Sequence, residues 1–148
     1  MSYKINNSAI DTCYEQALKS YNEGGLPIGS ALVRGSKIVA KGHNQRVQLG
    51  NPILHGEMDC LQSAGRQTSY RDTTLYTSLS PCMMCSGTIV QFKIPRVVIC
   101  ENLNFGGNEK FLLDSGVEVI LLKEARFIEL MGSFIEQKPE LWHEDISV

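Results

Sequence analysis

The chain has 148 residues, 43% hydrophobic and 20% charged, which predicts one globular domain over residues 1–148 with its own core. A formal net charge of -2 and no basic run argue against nucleic acid as partner, since such binders present a basic patch. No stretch approaches the ~20 apolar residues of a membrane span, and the N-terminus from Met1 to Asn7 lacks the apolar core of a signal peptide, so no membrane association and a cytoplasmic location are expected.

A first helix is predicted from near Ser8, with Ile10, Tyr14, Ala17, Leu18 and Tyr21 on one face and Gly24-Gly25 at its end. Residues 28–33 and 37–42 read as strands joined by a hairpin at Gly35-Ser36. A helix opens near His55 and runs to about Ala64, before Gly65. Residues 73–78, rich in β-branched and aromatic side chains, form the next strand. Ser80 then suits an N-cap and Pro81 a first helical position, for a helix carrying Cys82 and reaching about Phe92. Residues 96–100 and 117–122 are further strands. A last long helix runs from Glu124 to about Gln137, stopped by Pro139, and a tail follows. The order α-β-β-α-β-α-β-β-α favours a mixed sheet flanked by helices.

The chemistry concentrates in two short segments. Five cysteines, an odd number without a secretory signal, disfavour a disulfide framework. Cys82 and Cys85 lie three residues apart at a predicted helix start, so both sulfurs can face one point, and the helix N-terminus favours their thiolates. His55 would supply a third ligand. Three protein ligands leave the fourth tetrahedral position of zinc to water, the arrangement of a catalytic rather than a structural site. Glu57 is close enough to reach the same cavity, although positions two apart on a helix diverge, so spacing alone does not prove convergence. A carboxylate beside an activated water can take its proton and pass it on. His55-Gly56-Glu57 with Pro81-Cys82-Met83-Met84-Cys85 is the paired signature of zinc nucleobase deaminases. The competing readings are buried core cysteines, or a structural zinc with Glu57 on the surface.

Along nearly its whole length the chain resembles the yeast-type cytosine deaminases of the cytidine deaminase-like superfamily. The resemblance runs through Glu23-Gly24-Gly25-Leu26-Pro27-Ile28-Gly29, Gly42-His43-Asn44, Leu54-His55-Gly56-Glu57 and Asp72-Thr73-Thr74-Leu75-Tyr76-Thr77. It continues through Leu79-Ser80-Pro81-Cys82, Glu101-Asn102-Leu103-Asn104-Phe105, Trp142 and Glu144-Asp145-Ile146. It implies a three-layer α/β/α sandwich with a five-stranded mixed sheet, a homodimer and one catalytic Zn2+ per chain. It implies hydrolysis of a small free nucleobase, cytosine to uracil and ammonia, with Glu57 as proton shuttle. Asn44 would bond the edge of the base, the Gly56 N–H its ring carbonyl, and the Ser80 carbonyl and Asp145 its amino group. Ile28, Phe105 and Trp142 would line an apolar pocket capped by the tail.

The chain also departs from that pattern. Met83 stands where fungal members carry Asp, Asp59 replaces a hydroxyl residue, and the loop at Gly106-Gly107-Asn108 is shorter by about one residue. These departures leave open a related substrate: 5-methylcytosine, isocytosine, guanine or creatinine. A tRNA adenosine deaminase and a non-enzymatic zinc-stabilised binding module are the rival functions. Elsewhere, Cys13, Cys60, Cys100, Met83 and Met84 read as packing residues, His43 as structural and His143 as a surface residue.

Overall fold

The computed structural model describes residues 2–148. Its elements are α1 (Asn7–Asn22), β1 (Gly29–Arg34), β2 (Lys37–His43), α2 (Arg46–Leu49), α3 (Gly56–Ala64) and β3 (Thr73–Thr77). They continue with α4 (Met83–Gln91), β4 (Arg96–Ile99), α5 (Glu109–Asp114), β5 (Glu118–Leu121), α6 (Ala125–Gln137) and α7 (Pro139–Asp145). The five strands form one mixed sheet in the order β2-β1-β3-β4-β5. β1 pairs antiparallel with β2 and β3, whereas β3, β4 and β5 run parallel. Parallel neighbours require crossovers, and α4 and α5 supply them.

Alternation along the strands builds the three layers. Leu32, Leu75, Val97 and Ile99 face one side and pack with Cys60 and Leu61 of α3, Ile89 of α4 and Leu112 of α5. Ala31, Val33, Tyr76 and Val98 face the other, against Ala9 and Cys13 of α1 and Phe127 of α6. The sheet is therefore covered on both sides, and the expected α/β/α sandwich with a five-stranded mixed sheet is the observed architecture. A third cluster, Leu26, Ile28, Leu79, Met131, Phe134 and Trp142, closes one end, where α6 and α7 meet the segments leading into β1 and away from β3.

Several local expectations need correction. In α1 the buried face is Ala9, Ile10, Cys13, Gln16, Ala17 and Ser20; of the expected residues Ile10 and Ala17 are on it, while Tyr14, Leu18 and Tyr21 are half-buried. Gln16 and Ser20 go inside because their polar ends find partners there. The helix predicted to start at Ser80-Pro81 starts two residues later, with Cys82 as N-cap. Ser80 is held elsewhere: its N–H donates to the Glu101 carbonyl (3.1 Å) and its hydroxyl to Glu109 (2.7 Å). Pro139 ends α6 but also begins α7, at the position where a missing N–H costs nothing. The tail is thus a helix. α2 and α5 are too short to leave a periodic signature. Met83 is 54% exposed rather than packed.

Candidate metal centre and its cavity

His55 and Cys82 are the N-cap residues of α3 and α4, both with extended backbone and neither capping with its side chain. Each carbonyl instead accepts the first helical bond, from Asp59 N–H (2.9 Å) and Ser86 N–H (2.8 Å). Both side chains are thereby free to point off the helix starts towards each other. His55 Nδ1 lies 3.4 Å from Cys82 Sγ. The candidate ligand atoms of His55, Cys82 and Cys85 all fall within 4.8 Å of one another. Tetrahedral zinc with bonds of about 2.0–2.3 Å separates its ligands by roughly 3.5–3.8 Å, so this nitrogen and these sulfurs fit that ion in number, kind and spacing.

The electrostatics of the cluster suit a cation. The Cys85 thiol donates to Cys82, and with His55 it overrides burial to hold the Cys82 thiol down at about 4. Cys85, donating to that thiolate and buried, is pushed up. Burial would lower the His55 imidazole, yet the Cys82 bond and the carboxylates of Asp145 and Glu57 raise it to about 9. Glu57 is 4% exposed, and burial with the nearby Cys82 thiolate pushes its carboxyl up to about 7, against the pull of His55. A cation at the centre of this cluster would share the thiolate charge and displace the imidazole proton.

A cavity of about 20 Å³, room for about one water, opens beside the cluster. His55, Glu57, Cys82 and Asp145 give it a polar side, and Ile28, Phe105 and Trp142 an apolar one, with Ser80 between. Phe105 stands edge-on to Trp142, centroids 5.9 Å apart. Asp145 Oδ1 is 3.6 Å from His55 Nε2 and accepts from Asn44 Nδ2 at 3.2 Å. That leaves His55 Nδ1 facing the sulfurs, the outer carboxylate geometry common at metal-binding histidines. Burial pushes Asp145 above the usual carboxylate range.

The remaining expected residues border this cavity rather than line it. Cys85 lies behind Cys82, 1% exposed. Gly56 packs on Ile28, where a Cβ would sit 3.0 Å from the Ile28 carbonyl oxygen. Asn44 is wholly buried, and its side-chain oxygen also accepts from Arg46 N–H (2.9 Å) as an ordinary turn asparagine would. Leu79 and Ile146 line the cavity without having been expected as site residues. Apolar side chains inside a motif carry no chemical signal of their own.

Residues 4–101 match the family described as the cytidine and deoxycytidylate deaminase zinc-binding region. The chain is 47% identical over 144 residues to a cytosine deaminase of Candida albicans, covering 95% of this chain and 96% of that protein. It is 37% identical over 113 residues to a tRNA-specific adenosine deaminase of Streptococcus pyogenes, covering 72% and 71%. Among solved structures, a guanine deaminase from Nitrosomonas europaea superposes with a TM-score of 0.75 over 90% of this chain and 86% of that one, at 16% identity. At that identity the likeness establishes the fold. Sequence match, fold and ligand geometry agree, and the chain belongs to the zinc-binding cytidine and deoxycytidylate deaminase family.

Proposed function

We propose that the chain hydrolyses cytosine to uracil and ammonia, acting as a single deaminase domain over residues 1–148. The observation that carries this is the buried Glu57 carboxyl on the same cavity as the His55 and Cys82 ligands. The 47% identity to a cytosine deaminase supports the choice of base. Zinc, when bound by His55, Cys82 and Cys85, lowers the pKa of a water towards ~7.

Glu57 takes a proton from the attacking water as its oxygen bonds C4 of the ring, and delivers that proton to N3. It then takes the proton of the new C4 hydroxyl and carries it to the exocyclic nitrogen as the C4 carbonyl forms. The C4–N bond breaks and ammonia leaves. A group titrating near neutrality can both accept and donate at each stage. Asp145 and the Ser80 carbonyl accept the amino N–H bonds. The Asn44 amide, able to donate and accept along one edge, reads the ring, with the Gly56 N–H on its carbonyl. Ile28, Phe105 and Trp142 sandwich the flat heterocycle and exclude water. The cavity shares His55, Cys82, Phe105, Asp145 and Ile146 with a wider pocket of about 540 Å³, which gives a pyrimidine a way in.

The finer assembly follows the same reading. A homodimer is supported by an apolar groove beside Ile53, Met58 and Phe92, with Ile53 56% and Phe92 40% exposed. A cytoplasmic, reducing setting is supported by five free cysteines. Ammonia release from the purified zinc protein, offered cytosine, 5-methylcytosine, isocytosine, guanine, creatinine and an anticodon stem-loop, tests the proposal. Cytosine should turn over fastest; preference for any other member of the panel rejects it. Light scattering should give twice the chain mass.

A further inference from the structure

The loop between β4 and α5 is clasped at both ends by carboxylates. At its start Glu101, wholly buried, accepts the N–H groups of Leu103 (2.8 Å) and Asn104 (3.1 Å), and the Asn104 side-chain amide (2.9 Å). That amide also donates to the Ile128 carbonyl (3.1 Å), fastening the loop to α6. At its end Glu109 accepts the Ser80 hydroxyl at 2.7 Å and the Asn102 amide at 3.2 Å. Among the described residues, neither carboxylate forms an ion pair. Their partners are hydrogen-bond donors.

The two residues meet at Ser80, Glu101 through its backbone carbonyl and Glu109 through its carboxylate. Ser80 N–H donates to the Glu101 carbonyl at 3.1 Å, and Ser80 Oγ donates to Glu109. Gly107 crosses this point so closely that a Cβ would lie 2.3 Å from the Pro81 carbonyl oxygen and 2.9 Å from Ser80 Oγ. Ser80 is thus held at its N–H and at its hydroxyl.

We propose that Glu109 is a positioning residue for the deamination: acting through the Ser80 hydroxyl, it aims the Ser80 carbonyl at the exocyclic amine of the base. Glu101 holds the other end of the same loop. The inference rests on the cytosine reading above. Glu109 is absent from the cavity lining, so it reaches the amine only through Ser80, and its effect is expected on substrates that carry that amine.

Cytosine and pyrimidin-2-one, the same ring without the amine, separate positioning from general loosening. Glu109→Ala and Ser80→Ala should each lower kcat/KM for cytosine about tenfold, the loss expected for one misdirected hydrogen bond. The double variant should be no worse than either single one, because the two side chains act in series. Inhibition by pyrimidin-2-one should stay within about twofold, zinc content should remain one per chain, and Glu109→Gln should recover most of the activity. Wild-type kinetics in the variants, additive losses, or equal weakening for pyrimidin-2-one would overturn the proposal. If Glu109→Ala fails to fold, Ser80→Ala carries the same comparison, since it removes the hydroxyl and leaves the carbonyl. A wild-type protein that releases no ammonia from cytosine overturns the substrate reading and this proposal together; cytosine turnover unaltered by the variants overturns this proposal alone.

Discussion

In the proposed reaction, Glu57 carries the proton transfers in one side chain. Its carboxyl titrates near 7 because burial and the Cys82 thiolate disfavour the anion more than His55 favours it. Glu57→Gln preserves shape while removing the titration. It should keep one zinc per chain and lower kcat by about 10²–10⁴, the range for losing a general acid–base. Metal analysis beside the ammonia assay checks this, and near-normal turnover would remove Glu57 from the mechanism. A second carboxylate, Glu23, is exposed and makes only a small contribution to stability. Its Oε1 lies 2.8 Å from His43 Nε2. Burial opposes ionisation there, but the His43 and then the Gln48 hydrogen bonds prevail and hold it below the usual carboxylate range. A depressed carboxylate stabilises the fold above its unfolded pKa and stops doing so as pH falls through its folded one. The melting temperature should therefore fall below about pH 4, and Glu23→Gln should flatten that limb. A parallel limb in the variant would exclude Glu23 as the cause.

Close approach decides the placement of the site-bearing helices. α3 rests on β2 so tightly that a Cβ at Gly42 would lie 2.3 Å from Cys60 N. The Asp59 carboxylate adds a bond to His43 N–H at 3.0 Å across the same contact. Gly42→Ala should cost about 1–3 kcal/mol, as overpacking does, and should lower activity by displacing the helix that carries His55 and Glu57. Thermal denaturation with kinetics reads both; an unaltered melting temperature would show the contact to be yielding. At this scale the strands and longer helices were legible within a residue or two, because alternation and helical spacing are local signals. The start of α4 was not. Ser80-Pro81 has the composition of a cap and first turn, but two bonds to Glu101 and Glu109 hold Ser80 in the preceding segment, and the helix begins at Met83 with Cys82 as its N-cap. α2 and α5, of 4 and 6 residues, offer too few turns for a period to register.

Across the molecule, the C-terminal helix returns to complete a cavity built mostly by earlier residues. Trp142, Asp145 and Ile146 reach it from α7 and just beyond. The partly exposed Arg46–Glu144 pair at 3.3 Å adds little to this docking. Deleting residues 139–148 should leave the sheet and zinc binding in place and abolish cytosine turnover. Circular dichroism, metal analysis and the ammonia assay together test this, and retained activity would exclude α7 from the pocket. Chelation should lower the melting temperature, since a ligand held only by the folded chain stabilises it. Among the described residues no helix is long and apolar enough to cross a membrane.

The sequence by itself determined the ligand set. Cys82 and Cys85 share one helical turn, so their proximity is local, and the paired motifs name His55 and Glu57 as their partners; that His55 meets Cys82 across 27 residues is the work of the fold. It determined the alternation that gives a sheet two buried faces. Only the tertiary structure decided which carboxylate orients His55, which groups grip Ser80 and what covers the cavity. Asn44 and Asp145 are 101 residues apart, and Ser80 and Glu109 are 29 apart. Such pairs meet because sheet order and helix packing carry them together, and no spacing along the chain encodes that meeting.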